Sequence, residues 1–424
     1  MDPYLPRNGN VGYRTTLYDL ELDYRTGPGR LSGRATIAAL ADRVLAELSL
    51  DLGMFRVEQV LVDGAAARYS HRAGKLRVRP ARPLPAGAPF TVTVRYAGVP
   101  RPIPSRWGDL GWERLADGAL VASQPTGAPS WFPCNDHPAD KAAYRIAVTA
   151  NSRYTVVANG TLVSRKAGTN RTTWVYEQPA PMPSYLATVQ IGRYRLVDLA
   201  AGPVPQRVAV PPRLLTQVAH DFGRQPEMMT TFERLFGPYP FGEYAAVVVG
   251  EELEVPVEAQ GLSIFGSNHV DGHRGFERLV AHELAHQWFG NSLTVADWRH
   301  IWLNEGFAKY AEWLWSELSG GEPAQAHAAR SRILLAALPQ DLRVADPGVR
   351  RMFDDRVYQR GALTLHALRV VIGDAPFFAL VREWTRIHQH GTVTTEDFTA
   401  LAQRHSARPL DGLFAQWLYE SALP

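Results

Sequence analysis

Between Val280 and Phe307 the chain reads VAHELAHQWFGNSLTVADWRHIWLNEGF, with His282, Glu283 and His286 in the order H-E-x-x-H. Helical periodicity sets His282 and His286 one turn apart on one face. Their imidazoles can then converge on a single metal ion while Glu283 leans over the same spot. Imidazole nitrogens with a carboxylate suit zinc in a near-tetrahedral shell. A catalytic zinc takes three protein ligands and keeps one position for water. Glu305, inside the apolar run WLNEGFA, is the natural third ligand. An acid in such a run is costly to bury unless it is paired or metal-bound. The rest of the chain is expected to position a substrate over that ion.

The chain's 424 residues are too many for one ordinary core and suggest two or three domains. A net charge of +3 demands neither nucleic acid nor an anionic membrane as partner. Cys134 is the single cysteine, which excludes an internal disulfide and a thiolate zinc site, and it reads as a buried thiol. The start, MDPYLPRNGN, lacks the basic and apolar parts of a signal peptide. No run reaches the ~18–20 apolar residues of a membrane span. A cytoplasmic protein is the expectation.

Up to about Val197 the chain alternates polar and apolar residues between Gly, Pro and Asp breaks, as in TLYDLELDY, GRATIAAL, FTVTVRYAG and AAYRIAVTA. This predicts an all-β sandwich or saddle over residues 1–198. The stretch 99–130, rich in Pro, Gly and Trp, reads as a long surface excursion. From Leu214 the pattern turns helical, broken by the strand-like AAVVVGEELEV and GLSIFG, and after Glu305 it is almost wholly helical. Residues 199–424 are therefore expected to form a catalytic domain with a mixed sheet and helices, so that the whole is a multidomain α+β protein.

If zinc is bound, Glu283 stands beside it as the base that takes a proton from the metal-bound water and passes it to the leaving group. An oxyanion would need a further donor, which a tyrosine or a histidine of the helical part could supply. HELAHQWFGN, with eighteen residues between His286 and Glu305 of WLNEGFA, resembles the gluzincin zinc aminopeptidases of the aminopeptidase N and leukotriene hydrolase type. The likeness runs over most of the chain, through WFPCNDHPADKAAYRIAV, MPSYLATVQIGRY, VYQRGALTLHALR and the final LFAQWLYESALP.

The resemblance implies a thermolysin-like catalytic domain, one zinc ion held by His282, His286 and Glu305, and peptides with a free N-terminus as substrates. It makes Tyr358 of YQRGA the oxyanion donor and Glu258 of VPVEAQGL the anchor of the substrate's α-amino group, with Gln124 as a second amine-binding residue. Burying an ammonium calls for such a paired carboxylate. Around Glu258 the chain departs from the family's GAMENWGL: Val255-Pro256 replaces Gly-Ala, and Val257 and Ala259 replace Met and Asn. The preferred N-terminal residue is thereby left open. Arg360 stands where the family has lysine, a change expected to be tolerated outside a tight contact. Asp136 and Glu312 read as structural or metal-supporting, and His269, His273 and His300 as loop or surface residues.

Larger family members continue into a helical solenoid, so a two-domain enzyme with a more open cleft is expected. Arg101–Trp112 then forms either a lid or a plain surface loop. A monomer or weak homo-oligomer is expected. An endopeptidase or an epoxide hydrolase on the same zinc site are the alternatives, and a non-catalytic peptide-binding scaffold is a third.

Overall fold

A computed structural model describes residues 1–200 and 202–424. They form two compact units. One comprises Met1–Asp198, Pro205–Leu215 and Phe241–Ser267, and the other Leu199–Val204, Thr216–Pro240 and Asn268–Pro424.

The first unit is built of strands because its sequence alternates. In Tyr13–Arg25, Tyr18, Leu20, Leu22 and Tyr24 are buried, while Leu17, Asp19, Glu21 and Asp23 lie on the other face. This strand pairs parallel with Lys141–Asn151 and antiparallel with Arg30–Ala41 at the centre of an eight-stranded sheet. Each Leu, Ile or Val it buries contributes about 1.5–3 kcal/mol. Asp136 fastens the N-terminal segment to this unit. Its carboxylate accepts from Asn8 Nδ2 at 3.0 Å and Ser184 Oγ at 2.8 Å. Burial, reinforced by neighbouring Asp51, pushes its pKa up to about 7.

The stretch 99–130 is not a surface excursion. Ile103–Ser105, Gly108–Leu115 and Gly118–Ala122 are strands, joined to Val189–Gly192 and Thr155–Ala158 in a five-stranded sheet. Trp112 is fully buried, while residues 101–109 form an exposed to half-buried hairpin at the edge of this sheet. Gly111, at φ +97, brings the backbone against Gly127 and Ser130, where a Cβ would collide.

A mixed five-stranded sheet in the order Arg195–Ala200, Gln206–Val210, Tyr244–Val248, Leu262–Phe265, Val257–Ala259 completes the strands that matter here. Ala209, Ala245, Val247, Leu262 and Ile264 share a core with Leu115, Leu120 and Val157. Val257–Ala259 is the edge strand, and Pro256 just before it sits where a missing N–H is tolerated.

The helices are α1 (Leu215–Asp221), α2 (Gln225–Phe236), α3 (Glu277–Ala285), α4 (Trp302–Leu318), α5 (Ala324–Ala336), α6 (Asp355–Ile372), α7 (Asp374–Ile387), α8 (Thr395–Arg404) and α9 (Asp411–Phe414). The second unit packs α2 to α9 around aromatic side chains. Phe289 stacks on Phe307 at 4.1 Å between ring centroids, and Trp288, Trp298, Trp302 and Trp384 are fully buried. Two of the histidines read as loop or surface residues lie in short 3-10 turns but are buried. His300 is buried and bonded to Thr395 Oγ1 at 2.9 Å, and His269 is buried beside Phe276. His273 is exposed. Cys134 is buried in the first unit, as expected. No helix among the described residues is long and apolar enough to cross a membrane.

Candidate metal centre

Helix α3 carries His282 and Glu283 and ends at His286, whose backbone (φ −56, ψ −23) is still helical. The chain then turns sharply, and Gly290 at φ +114 lies against His286 and Asn304, where a Cβ would stand 3.3 Å from His286 Nδ1. The turn lets the Phe289 carbonyl meet His286 Nδ1 at 3.0 Å. A carbonyl only accepts, so Nδ1 carries the proton and Nε2 keeps its lone pair.

Helix α4 supplies the opposite wall. Glu305, Lys309 and Glu312 recur at i, i+4 and i+7, on one face two turns long. His282 lies between the two carboxylates. Its Nδ1 meets Glu312 Oε1 at 2.9 Å, and its Nε2 faces Glu305 Oε2 at 3.5 Å. His286 Nε2 stands 3.4 Å from the same Glu305 oxygen. Lys309 Nζ, 2.9 Å from Glu312 Oε2, and Arg278, at 3.5 Å, balance the outer carboxylate.

These distances test the donor set. Around a tetrahedral ion with bonds of about 2.1 Å, ligand atoms are separated by about 3.4 Å. The two imidazole–carboxylate separations match that spacing, and all three groups are buried. Both histidines hold the Nδ1 proton in a hydrogen bond that orients the ring and leaves Nε2 to the ion, as metal histidines do. Two nitrogens and one carboxylate oxygen leave a fourth position for water, so the residues fit a catalytic zinc ion.

The electrostatics agree. Burial alone would lower the His282 pKa, but hydrogen bonds to Glu305 and Glu312 outweigh it and bring the imidazole up to about 9. Burial alone would raise both carboxyls. The His286 and His282 imidazoles instead hold Glu305 well below the usual carboxylate range, and His282 with Lys309 holds Glu312 down to about 2. Such a pocket draws in a cation, and a metal ion entering it displaces the proton.

Glu283 follows His282 on α3 and is 3% exposed, outside the His282–His286–Glu305 trio. Tyr358, in the first turn of α6, lays its ring nearly parallel to that of His282, with centroids 6.2 Å apart and planes at 16°. The approach of α4 to α6 rests on glycine. A Cβ on Gly306 would lie 2.9 Å from the Gly361 Cα, so the helix bearing Glu305 touches the helix bearing Tyr358 backbone to backbone.

In the first unit, Glu258 lies on the edge strand opposite Ser263. Its Oε1 accepts a 2.7 Å hydrogen bond from Gln124 Nε2, across 134 positions of sequence. Ala259 points into the core of that unit, with Val257 packed against it, which leaves Glu258 for the other face. The structure thus joins Gln124 to Glu258, and His282, His286 and Glu305 to Tyr358 and Glu312. Glu312 had no assigned partner in the sequence reading; its i+7 spacing from Glu305 was the available signal. The Phe289 carbonyl carried no such signal.

Residues 221–417 match the peptidase family M1 domain and residues 115–186 the peptidase M1 N-terminal domain. Leucine aminopeptidase 2 of Eremothecium gossypii is 28% identical over 412 residues, covering 90% of this chain and 63% of that one. Endoplasmic reticulum aminopeptidase 1 of Homo sapiens is 26% identical over 369 residues, 80% of this chain and 39% of that one. The chain thus spans less than two-thirds of the length of either of these two curated relatives. An M1 zinc metallopeptidase from Deinococcus radiodurans superposes with a TM-score of 0.91 at 31% identity, covering all of this chain and 98% of that one. A mutant of the same enzyme has been solved with a Tyr-Ser-Ala substrate. Yeast LTA4 hydrolase, at 22% identity and a TM-score of 0.83 over 97% of this chain and 69% of that one, shares the fold.

Proposed function

The chain belongs to peptidase family M1, and on that premise we propose that it is a zinc aminopeptidase that removes N-terminal residues from peptides. The observation that carries the proposal is the His282–His286–Glu305 trio, with its 3.4 and 3.5 Å spacing and both Nδ1 protons committed elsewhere. A zinc ion there, when bound, brings the pKa of its water toward about 7 and polarises the substrate carbonyl. Glu283 takes the proton from that water and passes it to the leaving amine. The Tyr358 hydroxyl donates a hydrogen bond to the carbonyl oxygen as it gains negative charge, which lowers the barrier more than it stabilises bound substrate. Glu258 receives the substrate's ammonium. Gln124 holds that carboxylate through Nε2 and has its carboxamide oxygen left to accept from the same ammonium. A β domain over residues 1–198 and a catalytic domain over 199–424, a cytoplasmic location, and a monomeric or weakly associating state belong to the same proposal.

The amine anchor separates this reading from an endopeptidase. Glu258→Ala is expected to lower kcat/KM for a peptide with a free N-terminus by about 10- to 100-fold, the loss of one charge-assisted contact. Most of the change should fall in KM. The same substitution should leave the slow cleavage of an N-acetylated peptide untouched. Equal losses on both substrates would show that Glu258 does not meet the amine.

A further inference from the structure

Tyr358 is the fourth residue of α6, in the first turn of the helix, and helix ends fray most readily. An oxyanion donor must nevertheless stay within a few tenths of an ångström of its place. What holds this turn is therefore part of how the site works.

On the N-terminal side the Asp354 side chain accepts from Arg356 N at 3.0 Å, and the Asp354 carbonyl accepts from Val357 N at 2.8 Å. Arg356 reaches Asp341 Oδ1 at 2.7 Å and the Pro339 carbonyl at 2.8 Å. Gln359 accepts from Ser331 of α5 at 2.8 Å. The largest commitment is that of Arg360. Its guanidinium, on a residue only 4% exposed, meets five backbone carbonyls of the C-terminal segment. Nε donates to Trp417 at 2.9 Å and Nη1 to Ser421 at 2.7 Å. Nη2 is shared among Gln416 at 2.7 Å, Glu420 at 2.7 Å and Ala422 at 2.9 Å. These carbonyls close the end of the last helical turns, where Glu420 becomes extended. The segment beyond is tied in turn to Gln340 through Leu423 N at 2.9 Å.

The contact is a tight one, and the arginine that stands in place of the family's lysine fits it with all three guanidinium nitrogens. A lysine ammonium has three donors on one atom and cannot span five carbonyls as the planar five-donor fork does. We infer that Arg360 is a positioning residue for the reaction: from the second turn of α6 it clamps the C-terminal segment, Gln416–Ala422, to that helix and thereby fixes Tyr358, two residues earlier, beside His282. The inference rests on the proposed role of Tyr358 as oxyanion donor.

A double-mutant cycle on the zinc-loaded full chain separates positioning from plain stabilisation. kcat, KM, zinc content and Tm are measured for wild type, Arg360→Lys, Tyr358→Phe and the double variant. Arg360→Lys is expected to lower kcat about 10- to 100-fold, the scale of a misplaced group, with KM and zinc content unchanged. In the Tyr358→Phe background the same substitution should change kcat less than twofold. Should Arg360→Lys fail to fold, Gln340→Ala, at an exposed residue, loosens the same segment; its smaller loss of kcat should likewise vanish in the Tyr358→Phe background. Equal fold-losses in both backgrounds, or a wild-type kcat in Arg360→Lys, would overturn the inference. Wild-type kcat in Tyr358→Phe would remove the proposed role of the tyrosine itself, and the clamp's catalytic role with it.

Discussion

Replacing Glu283 by Gln is expected to cut kcat by about 10²- to 10⁴-fold, the usual worth of a positioned general base. Zinc content and Tm should stay at wild-type levels. The reason lies in what the side chain does and does not touch. Glu283 lies outside the trio whose spacing fits the ion, so its loss leaves His282, His286 and Glu305 in place. The amide is nearly isosteric with the carboxylate, so a residue 3% exposed is exchanged without opening a cavity. What disappears is an acceptor for the water proton and a donor for the leaving amine. Metal analysis and steady-state kinetics on one preparation check both halves. Turnover retained with zinc bound would remove Glu283 from the mechanism.

Glu305→Ala should be as damaging by a different route. It deletes one of three ligands and the carboxylate that both Nε2 atoms face, so zinc should leave during a dialysis that keeps the wild type loaded. Turnover should fall at least as far as in Glu283→Gln. A second readout does not depend on activity. Ligand that binds only the folded state raises Tm in proportion to the logarithm of its concentration over Kd. Titrating zinc into the metal-free proteins should therefore raise Tm for the wild type and leave the Glu305→Ala curve flat. Equal zinc-dependent stabilisation of both would place the ion elsewhere.

How far the sequence could be read depended on the range of each interaction. His282 and His286 were legible because helix geometry alone fixes i and i+4 neighbours, and Glu305 because an acid in an apolar run calls for a partner, whereas Glu312 was read only as structural or metal-supporting. Much of the N-terminal sheet was legible for the same local reason, in a period of two. The stretch 99–130 was misread because its strands pair with Val189–Gly192, some seventy positions away, while Gly108, Gly111 and Gly118 at positive φ break the alternation. Gly111 is a place of close backbone approach, against Gly127 and Ser130. His269 and His300 looked like loop histidines because nothing local announces the Phe276 ring or the Thr395 hydroxyl that receive them. Whether Arg360 makes a tight contact was not legible because its five acceptors lie 56–62 positions away. The bond between Gln124 and Glu258 spans 134 positions. Only the resemblance to a family named both residues, and it did not pair them.

The central claim is removal of an N-terminal residue by a zinc-dependent enzyme with an amine anchor. Its most direct test is to incubate the zinc-loaded wild type with one defined peptide, free or acetylated at its N-terminus, and to identify the products by mass. Stepwise loss of single residues from the free peptide is expected, with no comparable cleavage of the acetylated one and no cleavage of either after chelation. Internal fragments from both peptides at similar rates would contradict it.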